Sequence, residues 1–383
     1  MRRQQALARA DSVLNGQGGP PSCDVERWFA VGDPQTSFDR FAALLEHHGL
    51  LGDGGWLRPD VGLVSMGDHF DYGSADPLEV VGREGQRILG WLAAHPRAQV
   101  RLLLGNHDAA RVIEFGACSD ARFDAMRAEV RGLAPAQEAA FALRHEIASA
   151  GLVRRDYAPW NEAQRAQVQR LLLDGRYELA VQAEHEGRAL LLSHAGVTVR
   201  ELSMLGLAMD AGAERVCRAL AAHLTNCVAR VAEGWDRAEA LPLALGPLHV
   251  SPVPGREAGG LLAHRPANPS RPGAQDRPWE WDPERPRRFP VERLPTHFDQ
   301  AVGHTGRSTI ERELAPWSAA VAPDPGPLHT LHFGDGVPLV ERGIAPPRAG
   351  QARLLFLDPS LSKLADPTAA ELMPIDVVAE RPA

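Results

Sequence analysis

The chain has 383 residues, 44% of them hydrophobic and 23% charged, with a formal net charge of −8 at pH 7. That length can bury a large core in one domain or in two smaller ones. The acidic balance excludes a general nucleic-acid binder, whose footprint would be basic, and no window approaches the roughly 18 apolar residues of a membrane span.

Residues 1–24 read as an N-terminal tail with no apolar signal region, hinged at Gly16–Pro21. Residues 25–364 read as the main domain, and 365–383 as a C-terminal tail. The stretch 26–105 alternates strand, helix, strand, helix, strand, which implies a sheet with a parallel part. Phe38, Phe41, Leu44 and Leu45 share one helical face. Asp76-Pro77 reads as a cap and first-turn proline opening a helix through Leu89 and Leu92. Residues 109–176 read as a helical insertion. Tyr177–Gln182 and Ala189–Ser193 read as a hairpin, and helical pattern returns over Val199–Ala232. Residues 251–290, rich in Pro, Arg and Trp, read as a long irregular loop, a class that is usually functional or disordered. Trp279 and Trp281 fit loop anchors better than base-stacking rings. Cys23, Cys118, Cys217 and Cys227 form no C-x-x-C pair and no zinc pattern, so free thiols in a cytoplasmic protein are expected. Lys363 is the only lysine. Arginine number is therefore compositional, and only position can argue for phosphate binding.

Five apolar runs each end in a polar residue that can ligate a metal. Trp28–Val31 leads to Gly32-Asp33-Pro34-Gln35, and Val61–Met66 to Gly67-Asp68-His69-Phe70-Asp71. Val100–Leu104 leads to Gly105-Asn106-His107-Asp108, Leu190–Leu192 to Ser193-His194-Ala195-Gly196, and Ala301-Val302 to Gly303-His304-Thr305-Gly306. Ligands at the carboxyl ends of strands converge on one crevice. Carboxylates, an amide and imidazoles together suit two borderline-to-hard divalent ions. Two ions about 3.5–4 Å apart need a shared carboxylate and can clamp the attacking and leaving oxygens of a phosphoryl displacement. An imidazole beside them can protonate the departing alkoxide.

In their order these motifs resemble the calcineurin-like metallophosphoesterases, and within them the phosphoprotein phosphatases, their bacterial counterparts and the symmetrical diadenosine tetraphosphate hydrolases. Leu354–Phe356, ending in Leu357-Asp358-Pro359-Ser360, adds to the likeness. The resemblance implies an α/β fold, a two-sheet β-sandwich flanked by helices. It implies Asp33 and Gln35 on a first metal, Asp68 bridging, and Asn106, His194 and His304 on a second. It also implies His107 as proton donor, oriented by Asp71. The cofactors would be two divalent or transition ions, with Mn, Fe, Zn and Ni all compatible. Gln35 stands where the family usually carries His; its neutral oxygen is a weaker donor to a transition metal. Tyr72 stands where the protein phosphatases carry a phosphate-gripping Arg. Arg265 is the leading replacement, with Arg111 and Arg307 behind it. His69 reads as a packing residue.

The activity implied is hydrolysis of phosphate monoesters by water activated on the metals, of protein phosphatase type. Two other readings stay open: a nucleotide or dinucleoside polyphosphate hydrolase, and a catalytically weak phosphoprotein- or nucleotide-binding module. The partners implied are a phosphorylated small molecule, a nucleotide or a phosphoprotein, with neither nucleic acid nor membrane.

Overall fold

The computed structural model describes residues 1–318 and 328–378. Its strands are β1 Arg27–Val31, β2 Val61–Ser65, β3 Val100–Leu103, β4 Tyr177–Glu178, β5 Ala180–His185 and β6 Arg188–Ser193. They continue with β7 His249–Val250, β8 Gly259–Gly260, β9 Arg265–Pro266, β10 Arg288–Phe289 and β11 Asp299–Val302. The last four are β12 His329–Gly334, β13 Leu339–Arg342, β14 Gln351–Phe356 and β15 Met373–Val377. Eleven of them form a single hydrogen-bonded row in the order β13-β12-β14-β11-β6-β5-β15-β1-β2-β3-β4.

In place of two separate sheets, the ladder is continuous through β15. This strand pairs antiparallel with β1 over Met373–Ile375 and with β5 through Asp376 and Val377. One cluster draws apolar side chains from both arms of the row: Ala30, Val64 and Leu103 from one, Val181, Leu192, Ala301 and Leu355 from the other. Each arm contains a parallel block, β1-β2-β3 and β6-β11-β14. The carboxyl ends of these six strands are where the motif residues sit.

Helices cover the sheet. They are α1 Arg2–Leu14, α2 Phe38–His47, α3 Leu78–Ala94, α4 Asn106–Ala110, α5 Asp120–Arg131, α6 Glu138–His145, α7 Glu162–Leu173, α8 Val199–Met204, α9 Ala213–Asp236 and α10 Arg307–Glu313. The face of α2 expected to be apolar is buried at Phe38, Phe41, Leu44 and Leu45. Its N-terminus is capped from outside: buried Glu84 of α3 accepts the Phe38 N–H at 2.7 Å, satisfying one of the orphan donors of a helix start. The α3 helix begins at Leu78, one residue after the anticipated proline. The β5–β6 hairpin turns at Glu186 (φ 53°) and Gly187 (φ 72°), the positive-φ pair that matches strand twist.

The described residues of both expected tails contribute elements to the fold. Ala6 and Ala10, one helical turn apart on α1, are fully buried against the core. Two alanines in a polar helix give little amphipathic signal. At the other end, Pro374 and Asp376 interrupt the apolar pattern of β15. Both are exposed, while Met373 and Ile375 are buried. Residues 109–176 form helices with their own core of Phe115, Phe123, Met126, Phe141, Tyr157 and Trp160. Residues 251–290 hold two short strand pairs, β7-β8 and β9-β10. The segment is pinned where Arg288 and Arg271 meet buried Glu313 at 2.9 Å each. Trp281 donates to the Ala274 carbonyl at 3.1 Å, inside the segment. Among the described residues no helix is long and apolar enough to cross a membrane. The four cysteines are free.

Candidate metal centre

Glycine at four of the five ligand-bearing strand ends lets the loops touch. A Cβ on Gly105 would lie 2.2 Å from Asp68 Oδ1, and one on Gly303 would lie 2.1 Å from Asp33 Oδ1. Three non-glycine residues of the site hold positive φ: Asp68 (54°), Asp71 (67°) and His304 (57°). Such conformations cost roughly 1–3 kcal/mol each and persist only where the surroundings enforce them. Here Asp108 does much of that. Fully buried, it accepts the backbone N–H groups of Asp68 and His69 at 3.0 Å and of Gly105 at 3.1 Å. It also takes the His69 ring Nδ1 at 3.0 Å, and His69 Nε2 reaches Ser65 Oγ at 3.0 Å. His69 thus packs behind the site.

The structure brings Asp33, Asp68, Asn106, His194 and His304 to one place. Single ligand atoms of Asp68, His194 and His304 all lie within 4.8 Å of one another. His194 Nδ1 donates to the Met66 carbonyl at 2.8 Å, so its Nε2 presents a lone pair. That atom faces Asn106 Oδ1 at 3.1 Å and Asp68 Oδ2 at 3.4 Å. His304 Nε2 donates to the Ala263 carbonyl at 3.1 Å, leaving Nδ1 as its lone pair. The His304 backbone N–H donates to Asp33 Oδ2 at 2.8 Å, while Asp33 Oδ1 is buried without a partner. Lone pairs facing one another across hydrogen-bond distances, with a bare buried carboxylate oxygen beside them, fit a cation. This donor set of carboxylate, amide oxygen and imidazole suits divalent transition ions.

The electrostatics agree. Burial, then Asp358 and Asp68, push the Asp33 carboxyl well above the usual range. Asp358, at the end of β14, is raised by its own burial. Burial also works against Asp68, but His194 and His107 more than offset it and hold that carboxyl below the usual range. Burial, helped by Arg265 and His194, keeps His304 neutral, the form that ligates metals. Gln35 donates its amide N–H to the Phe70 carbonyl at 2.9 Å, which fixes it against the Asp68 loop.

His107 stands beside this cluster. Its backbone N–H donates to Asp68 Oδ1 at 2.7 Å, and its ring Nδ1 meets Asp71 Oδ2 at 2.9 Å. Burial lowers the His107 pKa, but Asp68 and Asp71 outweigh it and raise it overall. Tyr157, from the helical insertion, sets its ring 5.0 Å from the His107 ring.

The three arginines part ways. Arg265 lies in a cleft of 230 Å³ that also exposes Asn106, His107 and His304. Its Nη2 donates to the His304 carbonyl at 3.2 Å. Burial, then Arg287 and Arg288, bring its pKa down to about 9. Arg111 does not reach the cleft. It is fully buried, grips both oxygens of Asp71, donates to the His107 carbonyl at 2.8 Å and to Gln164 Oε1 at 3.0 Å. Arg307 pairs with Glu311 at 2.8 Å along α10. Sequence reasoning missed Asp108 and the cleft walls, where Glu114, Arg155, Asp156, Glu257 and Arg287 stand. Asp108 carried a signal as the fourth residue of Gly-Asn-His-Asp; the others carried none.

No curated protein matches this chain. Among solved structures it is similar to a cold-active protein-tyrosine phosphatase of a psychrophilic Shewanella species. The identity is 13% and the TM-score 0.34, over 76% of this chain and 69% of that one. A further structure of a cold-active protein tyrosine phosphatase gives 13% and 0.33, over 76% and 68%. Residues 27–197, which carry Asp33, Asp68, Asn106 and His194, match the family model of the calcineurin-like phosphoesterases. Over those residues, somewhat less than half of its length, the chain is similar to the calcineurin-like phosphoesterases.

Proposed function

We propose that this protein hydrolyses phosphate monoesters at a dinuclear metal centre, with machinery of the protein phosphatase type. The observation that carries the reading is the convergence of Asp68, Asn106 and His194 lone pairs on one point, next to the unpartnered Asp33 oxygen. Asp33, Gln35 and Asp68 would hold one ion, and Asp68, Asn106, His194 and His304 the other. Such ions, when bound, neutralise the charge of the phosphate and acidify water. His107 protonates the leaving oxygen: with Nδ1 committed to Asp71, its Nε2 remains free for that work. Asp71 orients the ring, and Arg111 holds Asp71 from behind. Arg265 grips a non-bridging phosphate oxygen, where a preorganised cation stabilises charge as it develops.

Metal analysis of the purified protein tests the centre. Wild type should retain about two equivalents of Mn²⁺, and Asp68→Asn, which weakens the bridging ligand, should lose metal and activity together. An Asp68→Asn protein that kept both ions would remove the bridging role.

A further inference from the structure

The cleft over the metal cluster is walled on one side by the helical insertion and on the other by residues 251–290. Six charged side chains line it: Glu114, Arg155, Asp156, Glu257, Arg265 and Arg287. Four of them are already paired, Arg155 with Asp156 at 2.7 Å and Arg287 with Glu257 at 2.5 Å. That leaves one cation and one anion among the described residues of the cleft. Among the described residues the Arg265 side chain hydrogen-bonds only to the carbonyl and ring of His304. Among the described residues Glu114 has no ion-pair partner, and its Oε2 is buried without a hydrogen-bond partner.

A buried carboxylate oxygen left bare is costly, and a protein interior rarely keeps one without use. Burial raises the Glu114 pKa to about 7; its own backbone N–H, His107, Arg111 and Arg287 pull the other way without cancelling it. A cation or a strong hydrogen-bond donor placed against Oε2 would remove that penalty. The anionic end of a substrate belongs with Arg265 and the metal ligands, which line the same cleft as Glu114.

We infer that Glu114 is a specificity-determining residue that receives an ammonium or similar donor on the leaving group, so that the preferred substrates are small phosphate monoesters of amino alcohols. This rests on the phosphoesterase reading and adds the leaving-group half of the substrate. The remaining wall residues, paired with each other, shape the cleft and carry no net charge toward the ligand.

Matched esters test it. The Mn²⁺-loaded protein should hydrolyse 2-aminoethyl phosphate with a kcat/KM at least about tenfold above that for propyl phosphate, the gain typical of a charge-assisted contact. Glu114→Gln should bring the two within about twofold. Calorimetric binding of the two esters reads the same preference without turnover. Equal handling of the two esters by wild type, or a preference that survives Glu114→Gln, overturns the inference. Failure to hydrolyse para-nitrophenyl phosphate would count against the phosphoesterase reading, and the binding comparison would still decide the role of Glu114.

Discussion

At the scale of single residues, the site separates groups that face the substrate from groups that hold them. His107 and Arg265 face the cleft; Asp71, Arg111 and Asp108 stand behind. His107→Ala should cut kcat by about 10²–10⁴-fold on a phosphoserine peptide, the usual worth of a general acid. The loss should be smaller on para-nitrophenyl phosphate, whose phenolate leaves unprotonated. Steady-state kinetics on both substrates checks this; equal losses accompanied by lost metal would make His107 structural or a ligand. Arg111 is fully buried against Asp71. Removing one partner of a buried pair leaves the other charge bare, at a cost of about 3–5 kcal/mol. Arg111→Met should therefore lower stability by that order in urea denaturation and lower kcat more than it raises KM. A variant with altered KM alone would restore Arg111 as a substrate ligand. The polar strand-end residues were legible because each follows an apolar run and a glycine or serine that permits close approach. Arg111 was misplaced because sequence alone does not distinguish an arginine beside a motif from one beneath it. Glu114 was invisible for the same reason: its meaning lies in what fails to pair with it.

At the scale of elements, legibility followed the strength of the periodic signal. Helix α2 announced its buried face, whereas α1 buries only Ala6 and Ala10, and β15 alternates Pro and Asp with its apolar residues. Those two weak signals lie at the chain ends, where a tail is the natural default. Helix α3 carries a further consequence at its C-terminal end. His95 is fully buried, accepts the Leu57 N–H on Nε2 at 3.2 Å and donates from Nδ1 to the Trp91 carbonyl at 2.9 Å. Burial lowers its pKa from 6.5 to about 4. The unfolded chain then binds a proton more readily than the folded one between those values. Stability from this group is full above pH 6.5 and declines as pH falls through 4, by on the order of 3 kcal/mol if the whole shift is realised. Denaturation midpoints between pH 7 and 4 should show that loss, and His95→Gln should flatten it. A wild-type slope no steeper than the variant's would mean that His95 is not the group responsible.

At the scale of the whole molecule, two parallel blocks at either side of β15 aim their carboxyl ends at one point. That arrangement explains why residues as far apart as Asp33, Asn106, His194 and His304 meet, and why the motifs run through most of the chain. It also concentrates carboxylates: buried Asp33 and Asp68 and partly buried Asp358 act on one another there. Folding tolerates such a cluster when a cation neutralises it, so ligand linkage should stabilise the metal-loaded protein, by about 2.7 kcal/mol at a hundredfold excess over Kd. Hydrolysis of para-nitrophenyl phosphate by chelator-treated wild type, before and after Mn²⁺ is added back, tests the central claim most directly. Activity should vanish on chelation and return with Mn²⁺, together with the rise in thermal stability. Hydrolysis that persists after all metal is removed, or that no addition of Mn, Fe, Zn or Ni restores, would contradict it.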